Sequence, residues 1–190
     1  MTLKMQQPFQ VDENKRWFKK WWPEGVPFNT NFEEKTLNEL LDEQVDKFPS
    51  NNFIWFLDTW ITYKEFQDYV KSFTSALVNL GIKKGDVIAL LLPNCPQYIV
   101  AYYAATRIGA IANGINPTYQ PVEVLHQIDI TNPKMLVVLD ALYETTIKPI
   151  IQEISIDIIV YTNLVDLSEI KGVKKAIGKF VKKIPSGKVD

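Results

Sequence analysis

The sequence predicts an α/β domain, a largely parallel sheet flanked by helices on both faces. Three observations predict it. Val87–Leu92 and Met135–Leu139 are short, continuously apolar runs without polar alternation, the pattern of strands covered on both faces. Stretches of helical periodicity separate these runs from one another and from further short apolar segments. The connection from Val87–Leu92 to the next strand, Ala110–Ile115, is long enough to hold a helix, and a strand–helix–strand unit of that length is a parallel, right-handed crossover.

The central unit explains itself residue by residue. Pro93-Asn94-Cys95-Pro96 stops the first strand. Asn94 or Cys95 then takes the N-cap, and Pro96 the first helical position, where its missing N–H costs nothing. Gln97–Ile108 is apolar almost all round, which predicts an interior helix. Arg107 sets a cation against the C-terminal end of the helix dipole, Gly109 supplies the stop, and Asn116-Pro117 ends the following strand.

Upstream, Thr36 and Glu39 have the spacing of a capping box. Leu37, Leu40, Leu41, Val45 and Phe48 follow at helical spacing, and residues 49–52 end that helix. Phe53–Leu57 and Trp60–Thr62 read as a small hairpin joined at Asp58-Thr59. Thr62 and Glu65 form a second capping box, ahead of a stripe of Phe66, Val70, Phe73, Leu77 and Leu80 closed by Gly81.

Downstream of Pro117, a helix beginning near Gln120-Pro121 should bury Val124, Leu125 and Ile128 and break at Asn132-Pro133. A helix over 141–153 and a strand at Ile158–Tyr161 repeat the unit.

The two ends differ from the middle. Residues 12–28 interleave Trp17, Phe18, Trp21 and Trp22 with Lys15, Arg16, Lys19 and Lys20. Two readings fit: a weak peripheral contact with a membrane surface, or an arm whose tryptophans bury against the domain. Pro23, Gly25 and Pro27 interrupt any helix and favour the arm. From Ser168 onward lysines outnumber acids over a faint helical stripe, which favours a solvated connecting helix over a basic docking surface. The expected organisation is therefore an arm at 1–35, an α/β subdomain at 36–165 and a basic connecting helix or tail at 166–190.

Composition excludes several classes of function. A net charge of −1 lacks the basic excess of a nucleic-acid binder. One cysteine cannot form an internal disulfide, and no apolar run reaches the length of a membrane span, so a cytoplasmic location is expected. His126, mid-helix beside Glu123 and Gln127, reads as solvent-facing rather than as a general base. Cys95 at a helix N-terminus reads as a short cap rather than a dipole-activated thiol. Neither a metal-ligand cluster, nor GxxxxGK[ST], nor GxGxxG is present. The residues alone thus give an α/β domain without an assembled active site: no catalytic and no metal-binding residue is assigned.

Three stretches resemble the adenylate-forming acyl-CoA synthetases. Trp60–Phe66, WITYKEF, is similar to the family's early TYxEL motif, with Phe66 in place of leucine. Residues 85–128, GDVIALLLPNCPQYIVAYYAATRIGAIANGINPTYQPVEVLHQI, are similar to a longer family pattern, and their later half, around Arg107–Pro117, resembles its second core motif. Trp22-Pro23-Glu24-Gly25-Val26-Pro27, with the helix from Thr36, resembles the start of the medium- and long-chain fatty-acid branch.

This resemblance implies an ATP-dependent two-step reaction. A carboxylate attacks the α-phosphate of ATP and expels pyrophosphate, and the CoA thiolate then displaces AMP. The phosphate loop, the magnesium-binding glutamate, the ribose-binding aspartate and the C-terminal lysine of the family lie downstream of the matched segments and have no counterpart in this sequence. The resemblance therefore implies the N-terminal subdomain of a fatty-acid–CoA ligase, inactive alone, whose partner is a C-terminal half carrying the chemistry. ATP, Mg2+, CoA and fatty acid belong to that complete enzyme, and none is expected to bind this chain by itself. The loop Gly114, Ile115 and Asn116 resembles a segment near the CoA phosphates in some members, although Asn116-Pro117 replaces their glycine-rich version. The alternative is a stand-alone module that binds acyl chains, CoA or protein, or self-associates through apolar surface normally covered.

Overall fold

The computed structural model describes residues 23–26, 33–170 and 186–187. Contacts divide the chain into two compact units, 1–35 and 36–190. In the first, Val26 N–H donates to Pro23 C=O at 3.3 Å, and Lys35 pairs with Glu33. Trp17, Trp21, Trp22 and residues 171–185 and 188–190 of the basic tail lie outside the described residues.

The second unit opens with α1 (Leu37–Lys47), capped as its sequence demands. Thr36 Oγ1 accepts from Glu39 N–H, while Glu39 Oε2 accepts from Thr36 N–H at 2.7 Å. Only Leu41 and Val45 of its expected stripe are buried; Leu37, Leu40 and Phe48 are exposed. The hairpin β1 (Asn52–Phe56) and β2 (Thr59–Thr62) forms one residue earlier than expected. Its turn is Leu57-Asp58, with φ of 47° and 57°. Both central residues are left-handed, the geometry whose twist matches a two-residue hairpin, and Asp58 tolerates it far better than Leu57.

The second capping box starts α2 (Tyr63–Asn79), which buries Phe66, Val70 and Leu77 and leaves Leu80 exposed beyond its end. Next come β3 (Val87–Leu91), α3 (Pro96–Arg107), β4 (Ile111–Gly114), α4 (Pro121–Thr131), β5 (Met135–Leu139) and β6 (Ile158–Thr162). The four strands β3–β6 form one sheet in the order β4-β3-β5-β6, and every pairing in it is parallel.

Alternation along the strands builds two cores. Ile88 and Leu90 of β3, with Met135, Val137 and Leu139 of β5, face α1, α2 and α3. Ala89 and Leu91, with Leu136 and Val138, face α4 and the segment after β5. The sheet is thus covered by helical structure on both sides, which is why its central strands carry no polar residue.

No residue of α3 is exposed, and Ala101, Ala104 and Ala105 let it lie close against its neighbours. Its far end is fastened by Arg107. The guanidinium forks onto both oxygens of Asp42 on α1, at 2.8 and 3.2 Å, and its Nε donates to Asn38 Oδ1 at 3.1 Å. Arg107 therefore does more than complement a dipole. Gly109, at φ 74°, turns the chain into β4 as expected.

The segment after β5 departs from the prediction. Instead of one α-helix over 141–153, an α-turn (Asp140–Leu142) passes into a π-turn (Tyr143–Ile147) and a 3₁₀ turn (Lys148–Ile150). Pro149 has no N–H to continue an i−4 ladder, and Thr145 Oγ1 donates back to Ala141 C=O at 3.0 Å. Packing holds the segment instead: Tyr143, Ile147 and Ile150 are buried against the second face of the sheet.

Candidate functional site at the carboxyl edge of the sheet

Parallel strands all end on one edge, so the residues just past β3, β4, β5 and β6 are brought together there. In open α/β sheets the ligand crevice lies outside this edge, where adjacent crossovers leave for opposite faces. Neighbouring strands β3 and β5 meet that condition. The chain leaves β3 into α3 on one face, and leaves β5 into the Asp140–Ile150 segment on the other.

A buried polar network occupies the β5–β6 side of the edge. Asp140, directly after β5, accepts from Ala141 N–H at 2.8 Å through Oδ1 and from Asn163 Nδ2 at 2.9 Å through Oδ2. Asn163, directly after β6, offers its backbone C=O to Gln97 Nε2 at 2.8 Å. Gln97 sits in the first turn of α3, so three elements are tied at one point. All three side chains are buried. Sequence reasoning alone misses them, yet a signal exists: MLVVLD and IIVYTN each place a polar residue immediately after an apolar parallel strand.

The residues singled out from sequence separate spatially. Gly114 ends β4, and a Cβ there would stand 2.8 Å from the Tyr98 hydroxyl of α3. The space a side chain would take is already filled by the protein itself. Ile115 is buried, its N–H donating to Leu90 C=O at 3.0 Å. Asn116 is exposed, and its Oδ1 accepts from Thr118 N–H at 3.0 Å and Thr118 Oγ1 at 2.9 Å. That turn leaves the Asn116 amide N–H2 as the donor this loop offers.

Cys95 is the N-cap residue of α3 but makes no capping hydrogen bond through its side chain. It belongs to the core, and burial pushes its thiol up, with the nearby N–H groups of Tyr98 and Gln97 offsetting only part of that. The side-chain cap read from the sequence is thereby corrected: Cys95 holds the N-cap position without capping through its thiol. His126 is exposed beside Glu123 and Gln127.

Among the described residues no group of three His, Cys, Asp or Glu side chains could hold a metal. The edge loops at 92–97, 113–120, 139–142 and 162–168 contain neither lysine nor arginine. These loops therefore offer the negative charge of a triphosphate no side-chain cation of their own. No described helix is long and apolar enough to cross a membrane.

Known proteins supply the context. A family model described as AMP-binding enzyme matches residues 41–183. The long-chain-fatty-acid–CoA ligase of Bacillus subtilis (strain 168) is 28% identical over 138 residues, covering 73% of this chain and 24% of the relative. Its Salmonella typhimurium counterpart is 27% identical over 167 residues, covering 86% and 30%. The chain thus spans under a third of the length of these relatives.

Among solved structures, a long-chain-fatty-acid–CoA ligase from Archaeoglobus fulgidus superposes with a TM-score of 0.63 at 23% identity, over 70% of this chain and 28% of that one. The N-terminal subdomain of Klebsiella oxytoca NpsA gives a TM-score of 0.52 at 22% identity, over 55% and 27%. These likenesses establish the fold, a parallel sheet between helical layers shared with acyl-CoA ligase adenylation domains. With the family model matching well over half its length, the chain belongs to the AMP-binding enzyme family.

Proposed function

We propose that this chain is the N-terminal part of a fatty-acid–CoA ligase, one that joins a fatty acid to CoA through an acyl-adenylate at the expense of ATP. The observation carrying the proposal is the match of residues 41–183 to the AMP-binding family, together with the named activity of its long-chain relatives. In this reading the subdomain is scaffold. Its sealed β3–α3–β4 core holds the carboxyl edge in place, and a partner half brings the phosphate loop, the metal ligands and the lysine of the family.

The chain's own contribution to ligand binding in this reading is the loop Gly114–Asn116, which would present the Asn116 amide at the edge of the CoA site. The substitution Asn116→Asp keeps the acceptor that Thr118 needs but replaces the donor with a negative charge. In the complete enzyme it should raise KM for CoA and leave KM for ATP unchanged.

The deciding experiment is ATP-dependent acyl-hydroxamate formation from palmitate and hydroxylamine. It is run on the 190-residue chain alone and on the full product of its coding sequence read onward. Activity is expected only in the latter. Hydroxamate from the chain alone would overturn the dependence on a partner half; none from either would overturn the ligase reading.

A second reading, a non-enzymatic interaction module, is favoured by the outer face of the hairpin. Trp55 and Trp60 pair across β1 and β2 with ring centroids 6.5 Å apart, yet are 58% and 55% exposed. Solvent-facing tryptophan pairs of this kind mark association surfaces. Light scattering of the chain over a concentration series distinguishes a monomer from a self-associating module.

A further inference from the structure

The described glycines sort by what a side chain in their place would meet. Gly25, Gly81 and Gly85 have open space around them. Gly109 and Gly114 face the Lys84 side chain and the Tyr98 hydroxyl, groups that can turn aside. Gly187 faces backbone. A Cβ there would overlap the Asp140 carbonyl oxygen outright, and would stand 2.7 Å from the carbonyl carbon and 3.1 Å from Ala141 Cα. A peptide unit cannot give way without its whole segment. Gly187 does not share the left-handed φ of Gly25, Gly81, Gly85 and Gly109. Space, not backbone conformation, is therefore what position 187 demands of its residue.

The wall that Gly187 meets is held on several sides. The Asp140 carbonyl accepts from Tyr143 N–H, and the Asp140 side chain accepts from Ala141 N–H and Asn163 Nδ2. Tyr143 is in turn buried against the second face of the sheet. A residue brought to this wall either fits or stays off.

Position gives the contact its meaning. Asp140 is the first residue past β5, on the edge where the crossovers of β3 and β5 leave for opposite faces. The tail of the chain thus returns to the β5 end of the candidate crevice. Gly187 is partly buried there, and Ser186 before it is exposed.

We propose that Gly187 is a built-in closure of this crevice. Its backbone seats on the Asp140–Ala141 peptide and shuts the β5 end, and only a residue without a side chain can take the seat. A ligand entering at that end has to displace it. The proposal stands on the contact and its place on the edge, whatever reaction the edge serves.

Amide hydrogen exchange of the 190-residue chain, read by NMR, tests it. The Tyr143 amide is the reporter, because its acceptor is the carbonyl on which Gly187 sits. Gly187→Val should speed its exchange about five-fold, the ratio that one net contact gives, while the amides of β3 keep their rates. A chain shortened to end at Pro185 should match the valine variant, since both empty the same seat. Ser186→Ala, at the exposed neighbour, should leave Tyr143 unchanged. Unaltered Tyr143 exchange in Gly187→Val or in the shortened chain would overturn the proposal. So would an equal quickening of the β3 amides, which would make Gly187 a support of the whole fold, or a Ser186→Ala effect as large as that of valine.

Discussion

The two crossovers that flank the centre of the sheet are built from opposite materials. The first, β3–α3–β4, is a regular helix between two strands. Pro96 sits at its first position, no residue of the helix is exposed, and Arg107 fastens its end to Asp42. The second, from β5 to β6, changes helical type twice within eleven residues, 140–150, and has Pro149 inside it. Proline serves the first by standing where an N–H is not needed and breaks the second by standing where one is. In the first crossover local signals and packing agree. In the second, burial against the sheet overrides weak local preference, and the polar groups of the edge collect there.

The contrast can be broken most forcefully at Ile147, fully buried under the π-turn. Ile147→Ala should cost about 2–5 kcal/mol in urea denaturation. A loss below about 1 kcal/mol would mean that the segment sustains itself without the sheet beneath it.

Asp140→Ala comes next. It strips acceptors from Ala141 N–H and Asn163 Nδ2, and should cost about 1–3 kcal/mol. Hydrogen exchange should quicken at the β5–β6 end of the edge while α3 amides hold.

The Asp42–Arg107 pair sharpens the first crossover through pH. The Arg107 hydrogen bond, only partly opposed by burial and aided by the Gln67 hydrogen bond, holds the Asp42 carboxyl below the ordinary carboxylate range. A depressed native pKa contributes stability that is complete above the unfolded value of about 4 and vanishes as pH falls through the native one. The pair is partly exposed, so Asp42→Asn should cost no more than about 1 kcal/mol at pH 7. The gap from the parent protein should close in chemical denaturation below about pH 4.

The smallest effect separates the two prolines. Pro96→Ala should lose about 0.4–1 kcal/mol of pre-organisation. Pro149→Ala should stay within about 0.5 kcal/mol, because a recovered N–H offsets the freer unfolded chain.

These differences also mark what could be read from the residues alone. Capping boxes at Thr36 and Thr62, Pro96, Gly109 and the two sealed strands are local signals, and each element stands where they put it. The hairpin slipped by one residue because leucine at φ 47° runs against its own preference. Helix 141–153 failed because apolar periodicity cannot tell an α-helix from a packed irregular segment. The Gln97–Asn163–Asp140 network eluded the sequence for another reason. Its members lie 66 and 23 residues apart, and only the parallel order of the strands brings them together. The exposure of Leu37, Leu40 and Phe48 shows the limit of a stripe: it says which face is apolar, not that something covers it.

The outer margin of the sheet bears on how the protein behaves in a tube. Among the described residues β6 pairs only with β5, and its sequence, IIVYT, carries no charge, proline or glycine along the other side. Natural sheets usually guard such margins with a lysine, a proline or a bulge. An unguarded margin is adhesive toward any extended apolar strand. The isolated chain should therefore have a low colloidal ceiling: at high concentration, loss to precipitate should precede loss of fold. A single lysine at Val160 would lie on the face packed toward α3 and cost core burial. Thr162→Lys, at the strand's last residue, is the gentler way to raise that ceiling.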